Sequence, residues 1–343
     1  MNLPRRSMAK AGTALAVSAL FATACSGDAP SAGLPALKLD AARTTVSGLS
    51  SGAYMATQVH LAYSDRIAGA ALFAGGPYGC AQGSLEIALG SCLAPEAGML
   101  PDVAALADTV RARAAGGRIA ALDGLAGDAV LVMHGALDTT VGMAVSNAAA
   151  ELYRELGGAR VELDDGRAIA HTFPTMDKGG ACDRSESPYI GQCGFDGAAA
   201  LFAALYGPPP AAVGAADGEL RRFDQDAYRA DGKDAMLAEQ GFVYVPKACA
   251  AGETCGLHIA FHGCQQNADA IGEAFVRDAG YNRWADAYGV VVLYPQTRAS
   301  FAPLNPKACW DWWGYGGVDY DTRDGVQLRW LAKAAAALGA PLE

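Results

Sequence analysis

The chain has 343 residues, of which 36 are acidic and 26 are basic, so its formal net charge at pH 7 is −10. This balance argues against binding of nucleic acid or of an anionic membrane through charge, whereas a neutral substrate is compatible with it. The length suits one large α/β domain with ample hydrophobic core.

Residues 1–24 have the form of a secretory signal. Three basic residues precede an apolar run at 11–24, which with these flanks is too short for a transmembrane helix. Small residues before Cys25 resemble a bacterial lipoprotein processing site, although a large aliphatic residue is more usual where Ala22 stands. We interpret 1–24 as a signal, with either lipid attachment at Cys25 or plain signal cleavage nearby, and 25–36 as a tether.

A candidate nucleophile follows soon after the tether. The segment GLSSG at 48–52 is a G-x-S-x-G pattern centred on Ser50. A short strand is predicted at 42–46, a helix after the second glycine, and a buried strand at 67–73. Strand, tight turn and helix form the setting in which this pattern presents a serine nucleophile, and a plain Gly/Ser loop is the alternative interpretation.

A catalytic acid and base are predicted downstream in the chain. The strand at 129–133 leads to Asp138 in a loop, and a strand near 161–163 leads to His171 in another loop. Catalytic acids lie at such carboxyl ends of strands, and the order nucleophile, acid, histidine is that of the α/β-hydrolases. We therefore predict that Ser50, Asp138 and His171 form a catalytic triad.

The remaining candidates for acid and base fit this order less well. Asp177 and Asp183 follow the histidine, so they are weaker candidates for the acid. The other histidines are predicted to be structural, because they lie on a helix, beside or within a strand, or in a turn: His60, His134, His258 and His262.

The second half of the chain contains the strands that an α/β-hydrolase builds before its nucleophile. A Pro/Ala/Gly-rich connector occupies 208–219. Alternating strands and helices follow it, with predicted strands at 241–246, 257–263 and 291–296, a Cys-bounded hairpin at 249–255, and helices at 268–288 and 322–338. The sequence thus predicts a circularly permuted α/β-hydrolase fold, with a mostly parallel central sheet and helices on both faces.

Cysteine usage points to export. Eight cysteines remain besides Cys25, an even number suited to an oxidising compartment. Their spacing suggests three local bridges and one long one, although connectivity cannot be read from one sequence: Cys80–Cys92, Cys182–Cys193, Cys249–Cys255 and Cys264–Cys309. Zinc binding is the alternative, and the absence of a C-x-x-C pair makes it the weaker interpretation.

Several segments together resemble a known enzyme family. Six segments are similar to the short-chain-length polyhydroxyalkanoate depolymerases with the type 2 catalytic domain: GLSSGAYMATQ, HGALDTTV, HTFPT, YIGQCGFDGA with the cysteine ahead of it, FHGCQQ and CWDWWGY. The resemblance covers about 37–338 and implies a single catalytic domain at 37–343. It implies a serine hydrolase that cleaves poly(3-hydroxybutyrate) or its oligomers through an acyl-enzyme, without metal or organic cofactor.

The resemblance also implies roles for individual residues. Ser50, Asp138 and His171 would be nucleophile, acid and base. The backbone N–H groups of Ser51 and Cys264 would form the oxyanion hole. Trp310 is expected to contact the polymer chain. The protein would be secreted, periplasmic or lipid-anchored at the cell envelope, and the resemblance predicts no oligomeric state.

Two other functions remain open at this stage. A related carboxylesterase, of the feruloyl or acetyl-xylan type, would share the fold and the triad. A non-catalytic surface lipoprotein would keep the fold as a binding module.

Overall fold

The computed structural model describes residues 1–4, 33–94, 99–209 and 213–343. Most of the signal segment, Cys25 and most of the tether lie outside these ranges. The chain divides into two compact units, Met1–Pro30 and Ser31–Glu343, and every element below belongs to the second unit. None of the helices in the described ranges combines the length and apolar composition that a bilayer-spanning helix requires.

Strands and helices alternate along most of the chain. The strands are β1 (Leu39–Leu49), β2 (Gly69–Phe73), β3 (Ala129–Gly135), β4 (Arg160–Arg167), β5 (Phe173–Thr175), β6 (Gly180–Ala181), β7 (Ile190–Gln192), β8 (Glu219–Asp224), β9 (Gln240–Val245), β10 (Cys255–Phe261), β11 (Val290–Tyr294), β12 (Ser300–Phe301) and β13 (Leu304–Asn305). The helices are α1 (Ser51–Ala62), α2 (Leu85–Leu89), α3 (Val103–Ala115), α4 (Met143–Leu156), α5 (Gly197–Tyr206), α6 (Lys247–Ala250), α7 (Ala268–Ile271), α8 (Ala274–Asp278), α9 (Tyr281–Tyr288) and α10 (Val326–Leu338).

The central sheet joins the two halves of the chain around β1. Its strand order is β4-β3-β2-β1-β10-β11-β9-β8. All neighbours from β4 to β11 are parallel, and β9 and β8 add an antiparallel edge. The nucleophile strand β1 therefore pairs with β2 on one side and with β10, from the second half, on the other. This arrangement confirms the predicted circularly permuted α/β-hydrolase fold.

Helices cover both faces of the sheet because alternate strand side chains point to opposite sides. In β3, Val130 and Val132 pack in the apolar layer with α1, α3, α4 and α10. Leu131 and Met133 pack in the opposite layer with α5, α8 and α9. Strands buried on both faces read as continuous apolar runs, which is what β3 and β11 show in the sequence.

The long helix predicted over 268–288 is replaced by three short helices, α7, α8 and α9. Gly272 ends α7 with φ 61°, and Gly280 precedes α9 with φ 87°. Backbone in this left-handed region terminates helices and is tolerated best by glycine. The predicted hairpin at 249–255 is instead the end of α6 and a turn that leads into β10.

The segment ahead of β1 and the end of α10 lie next to each other. The Leu37 N–H donates to the Leu338 carbonyl oxygen at 3.0 Å. Gly339, which ends α10 with φ 109°, packs so closely that a Cβ atom there would overlap the Leu37 carbonyl oxygen.

Candidate active site

Ser50 lies at the sharp turn between β1 and α1. Its backbone has φ 56° and ψ −122°, a sparsely populated conformation that costs a non-glycine residue about 1–3 kcal/mol. The turn is held because the Ser50 N–H donates to the Phe73 carbonyl at 2.9 Å and the Ser50 carbonyl accepts from Ala53 at 2.9 Å. Such strain is typical of a serine presented at the carboxyl edge of a sheet.

The glycines that flank Ser50 are required by close backbone contacts. A Cβ atom at Gly48 would overlap the Gly52 carbonyl group. A Cβ atom at Gly52 would overlap the carbonyl oxygens of Phe261 and His262 at the end of β10. The G-x-S-x-G pattern thus allows α1 to start directly against the neighbouring strand.

Asp138 and His171 form a hydrogen bond of 2.7 Å between Oδ2 and Nδ1. The Asp138 side chain is fully buried, and its Oδ1 accepts from the N–H groups of Thr140 at 2.7 Å and Val141 at 3.0 Å. Burial by itself raises the pKa of this carboxyl, but the hydrogen bonds from His171 and the two backbone groups hold the pKa below its ordinary value. An ionised carboxylate only accepts, so His171 carries its proton on Nδ1 and leaves Nε2 free to accept one.

The loop that follows β4 brings His171 to the same cavity as Ser50. Both side chains line this cavity, and the His171 backbone N–H donates to Ser185 Oγ at 3.0 Å. Within the described residues, Ser50 Oγ and His171 Nε2 are not hydrogen-bonded to each other. Such bonds are often long in a site without substrate and tighten when substrate is bound.

The other histidines are buried and bonded within the fold. Burial lowers the pKa of His258 to about 3 and that of His262 to about 4, so both are neutral at pH 7. Their partners hold neighbouring elements together: Tyr153 and Asp128 for His60, Ser146 for His134, Thr45 and Ser47 for His258, and Thr297 and the Gly263 carbonyl for His262. Asp177 and Asp183 are exposed, and neither contacts His171.

Ser51 and Cys264 present backbone N–H groups beside Ser50. Ser51 opens α1, where N–H groups have no partner inside the helix and the dipole favours negative charge. Cys264 follows the end of β10, and a Cβ atom on the preceding Gly263 would lie 3.6 Å from the Ser50 Cβ atom. Both residues line the cavity, and in the described ranges neither N–H donates to a protein acceptor.

The cavity has a volume of about 520 Å³ and a mainly apolar wall. Of the described residues that line it, none is acidic, and Lys307 carries the one permanent positive charge. Aliphatic and aromatic side chains form most of the surface: Tyr54, Leu85, Leu89, Leu93, Tyr189, Leu304, Trp312 and Trp313. An apolar pocket with a few convergent polar groups is typical of a small-molecule site.

No group of His, Cys, Asp and Glu side chains in the described residues is arranged to hold a metal ion. The eight cysteines in the described ranges are joined in four disulfides: Cys80–Cys92, Cys182–Cys193, Cys249–Cys255 and Cys264–Cys309. Three of these bridges support the cavity wall. One closes the loop with Leu85 and Leu89, one closes the 182–193 loop, and one joins the turn at 262–264, after β10, to the Trp-rich segment at 309–315. The fold and the bridges suit an oxidising compartment.

Comparison with known proteins identifies the family. The model of the family Esterase PHB depolymerase matches residues 241–337. Poly(3-hydroxybutyrate) depolymerase of Delftia acidovorans is 41% identical over 301 residues, which cover 86% of this chain and 59% of the relative. Polyhydroxybutyrate depolymerase of Talaromyces funiculosus is 37% identical over 315 residues, which cover 86% of this chain and 89% of the relative. The chain belongs to the poly(3-hydroxybutyrate) depolymerase family.

Solved structures of this depolymerase family have the same fold. The crystal structure of PHB depolymerase from Penicillium funiculosum superposes with a TM-score of 0.81 at 33% identity, covering 91% of this chain and 99% of that one. A serine-to-alanine PHB depolymerase variant in complex with an R3HB trimer gives the same TM-score at 32% identity. The chain spans about three fifths of the length of the Delftia relative, so the two proteins differ in extent.

Trp310 does not contact the cavity, so the prediction that it binds the polymer chain is wrong. Its side chain is 1% exposed, packs on Phe261, and donates from Nε1 to the His262 carbonyl at 3.0 Å. The indole N–H finds this partner beneath the turn at 262–264, which places the ring in the core. Trp312 and Trp313 line the cavity instead, and Trp312 stacks on Tyr54 at 4.2 Å between ring centroids.

Asp311 shapes the segment that carries these two tryptophans. It is 2% exposed, and its carboxyl accepts from the N–H groups of Gly314 at 2.8 Å, Tyr315 at 2.9 Å and Gly316 at 2.7 Å. Burial raises the pKa of Asp311 to about 6 in spite of these bonds. An aspartate followed by glycines was the one sign of this role in the sequence.

Sequence reasoning also missed other parts of the site. Tyr189 precedes β7 and Leu304 begins the two-residue strand β13; neither was among the predicted site residues, yet both line the cavity. Leu85 and Leu89 lie between Cys80 and Cys92, and the only available signal was a pair of apolar residues four apart inside a disulfide loop.

Proposed function

We propose that the protein is a serine hydrolase that cleaves the ester bonds of poly(3-hydroxybutyrate) or its oligomers through an acyl-enzyme. The observation that carries the proposal is the hydrogen bond between Asp138 and His171 at an apolar cavity that Ser50 also lines. Membership of the depolymerase family supports the choice of polyester, as does the related structure that holds an R3HB trimer.

In the proposed reaction, Ser50 Oγ attacks the ester carbonyl of a 3-hydroxyacyl unit. His171 Nε2 accepts the hydroxyl proton and later donates it to the departing alcohol oxygen. Asp138 remains ionised, stabilises the imidazolium and keeps the remaining proton on Nδ1. Water then attacks the acyl-enzyme, with His171 again as base, and releases a 3-hydroxy acid or a shorter oligomer.

The Ser51 and Cys264 N–H groups are proposed to stabilise the oxyanion that forms during both steps. Their lack of protein acceptors leaves them available within the described residues, and the N-terminus of α1 adds a favourable dipole. Removal of one such donor typically lowers kcat by about 10²–10³-fold.

The cavity lining supports an uncharged, methyl-bearing substrate. Its surface is mainly apolar and contains no acidic side chain among the described residues. Burial of each substrate methyl or methylene group there contributes roughly 0.8 kcal/mol. A hydroxybutyrate chain supplies one methyl group per ester, so binding energy grows with each unit that enters the cavity.

We also propose that 37–343 is a single catalytic domain that acts outside the cytoplasm. The four disulfides support export. Attachment through lipid on Cys25 is tested by fractionation, since Cys25→Ser should move the protein from the membrane to the soluble fraction. A wild-type protein already found in the soluble fraction would indicate plain signal cleavage.

The central test compares ester classes. We expect release of 3-hydroxybutyrate from its oligomers by the wild-type protein, at a kcat/KM well above that for ethyl ferulate or acetylated xylan. Ser50→Ala should abolish this release and the labelling by a fluorophosphonate. Ser64→Ala, a buried serine that bonds the Ala121 carbonyl at 3.2 Å, serves as the control and should keep both. Preferred hydrolysis of ferulate, or no labelling of Ser50, would contradict the proposal.

A further inference from the structure

We propose that Gln266 is a positioning residue that ties the oxyanion turn to the loop supporting His171, so that one buried amide aligns both halves of the catalytic machinery. The inference rests on the proposed function, because it assigns the Cys264 N–H and His171 their catalytic roles. Gln266 itself is fully buried and does not line the cavity.

At the turn that contains Cys264, Gln266 forms two hydrogen bonds with Gly263. Its Oε1 accepts from the Gly263 N–H at 2.7 Å, and its backbone N–H donates to the Gly263 carbonyl at 3.2 Å. The Gly263 carbonyl also accepts from Nδ1 of His262 at 2.7 Å. His262 holds that proton on Nδ1 because its Nε2 accepts from the Thr297 N–H at 3.2 Å.

These bonds determine where the Cys264 N–H points. The Gly263–Cys264 peptide is trans, so its carbonyl and its N–H point in opposite directions. Holding the Gly263 carbonyl toward His262 and the Gln266 backbone therefore turns the Cys264 N–H the other way. We infer that this direction is toward the cavity, because Cys264 lines it and its N–H donates to no protein acceptor in the described residues.

On the other side, the Gln266 amide group attaches to the 182–193 loop. Its Nε2 donates to the carbonyls of Tyr189 at 2.9 Å and Pro188 at 3.2 Å. The Tyr189 carbonyl also accepts from Phe173, two residues after His171, at 2.8 Å. Tyr189 lines the cavity, and its φ of 56° is a strained conformation for a tyrosine. The hydrogen bonds to its carbonyl stabilise this conformation.

The 182–193 loop in turn fixes the His171 backbone. Ser185 Oγ accepts from the His171 N–H at 3.0 Å, and the Cys182 carbonyl accepts from Ala170 at 2.9 Å. A displacement of this loop would therefore move the base as well as Tyr189. Gln266 is the side chain that joins this loop to the turn of Cys264.

Glutamine fits this position because its neutral amide supplies one acceptor and two donors. Methionine has a similar length but would leave the Gly263 N–H and the Pro188 carbonyl without these partners, and the Tyr189 carbonyl with the Phe173 N–H alone. Glutamate would keep the acceptor for Gly263 and, only when protonated, would supply one donor to the loop.

The test compares Gln266 with a buried amide elsewhere in the fold. Asn282 is 9% exposed, accepts from the Tyr294 hydroxyl at 2.7 Å and donates to the Val276 carbonyl at 2.8 Å. Gln266→Met and Gln266→Glu are paired with Asn282→Leu and Asn282→Asp. For each variant, kcat and KM are measured on p-nitrophenyl acetate and on a hydroxybutyrate trimer, and the fold is checked by thermal unfolding. Inhibition by phenylboronic acid is measured as well, because its tetrahedral adduct with the serine occupies the oxyanion hole.

We expect Gln266→Met to lower kcat about 10²-fold on both esters with KM within about threefold, as for loss of an oxyanion donor. Boronate inhibition should weaken by a similar factor, and Gln266→Glu should recover about tenfold of the lost kcat. The Asn282 variants should lose thermal stability but keep kcat and boronate affinity within about threefold.

Equal loss of kcat in the Asn282 and Gln266 variants, or loss of kcat in Gln266→Met with unchanged boronate affinity, would overturn the inference. The short ester distinguishes failure of the proposed role of Gln266 from failure of the proposed polyester substrate. Wild-type hydrolysis of p-nitrophenyl acetate without hydrolysis of the trimer would refute the polyester substrate and leave the Gln266 comparison decisive. A wild-type protein that hydrolyses neither ester would refute both.

Discussion

The Asp138 carboxylate uses its two oxygens for different partners, and this makes the outcome of Asp138→Asn predictable. Oδ1 accepts two backbone N–H groups, from Thr140 and Val141, so the carbonyl oxygen of an asparagine must occupy that position. The amide nitrogen is then forced to the position of Oδ2, opposite His171 Nδ1. Because both groups would be donors, His171 must release the Nδ1 proton and carry its proton on Nε2.

That tautomer cannot accept the proton of Ser50. We therefore expect kcat to fall about 10⁴-fold, as is usual when the tautomer of a triad histidine is reversed. At 1.36 kcal/mol per factor of ten, the loss corresponds to about 5.4 kcal/mol of transition-state stabilisation. KM should change little, because Asp138 is buried behind His171 and does not line the cavity.

The assay measures kcat and KM on a hydroxybutyrate trimer and on p-nitrophenyl acetate, with thermal unfolding as a check on the fold. Asp183→Asn is the matched control, since Asp183 is exposed and should tolerate the same change without loss. A loss of less than tenfold in Asp138→Asn, with unfolding unchanged, would refute the assigned roles of Asp138 and His171.

Three further predictions concern the Trp-rich segment and its bridge. Trp310→Ala should lower the free energy of unfolding by about 3–5 kcal/mol, as for other buried tryptophans, with little change in KM for the trimer. Trp313→Ala should raise KM for the trimer about tenfold with little effect on KM for the short ester; a raised KM in Trp310→Ala together with an unchanged KM in Trp313→Ala would exchange their roles. Because burial raises the pKa of Asp311 from 3.8 to about 6, its protonated form stabilises the fold and this stability is lost as the pH rises through that range. Relative to Asp311→Asn, the wild-type free energy of unfolding from urea titrations should fall by about 2 kcal/mol between about pH 4 and pH 7, and parallel curves would contradict this. Replacing both Cys264 and Cys309 by serine should lower kcat about tenfold because the oxyanion turn loses its covalent support, while serine replacements in the bridge ahead of β10 should affect only stability; equal kcat values in the two double variants would argue against a positioning role.

The strands were predictable because burial on both faces of the sheet produces continuous apolar runs in the sequence. The apolar runs at 129–133 and 291–296 correspond to β3 and β11 within one or two residues at each end. The permuted order of the two halves followed from the G-x-S-x-G pattern, since the position of Ser50 near the start of the chain required the remaining strands to come later.

The helix over 268–288 was not predictable in the same way. Its apolar spacing is continuous, but Gly272 and Gly280 adopt positive φ angles that only the tertiary contacts select. The cavity wall was unpredictable for a related reason, because Tyr189 and Leu304 are close only in the folded chain. Trp310 shows the limit most directly: an aromatic residue next to a predicted oxyanion turn can pack beneath it or beside it, and the hydrogen bond to His262 decides.

The contact between Leu37 and Leu338 bears on how this chain order can be rearranged. Because the ends of the domain touch, a short peptide could join them without moving any strand, and new ends could then be opened in the connector between α5 and β8. The resulting gene would encode β8 first and α5 last, with the oxyanion turn ahead of the nucleophile and the same eight-stranded sheet. Joining the two ends and opening the connector thus interconverts the two chain orders, with every strand keeping its neighbours in the sheet.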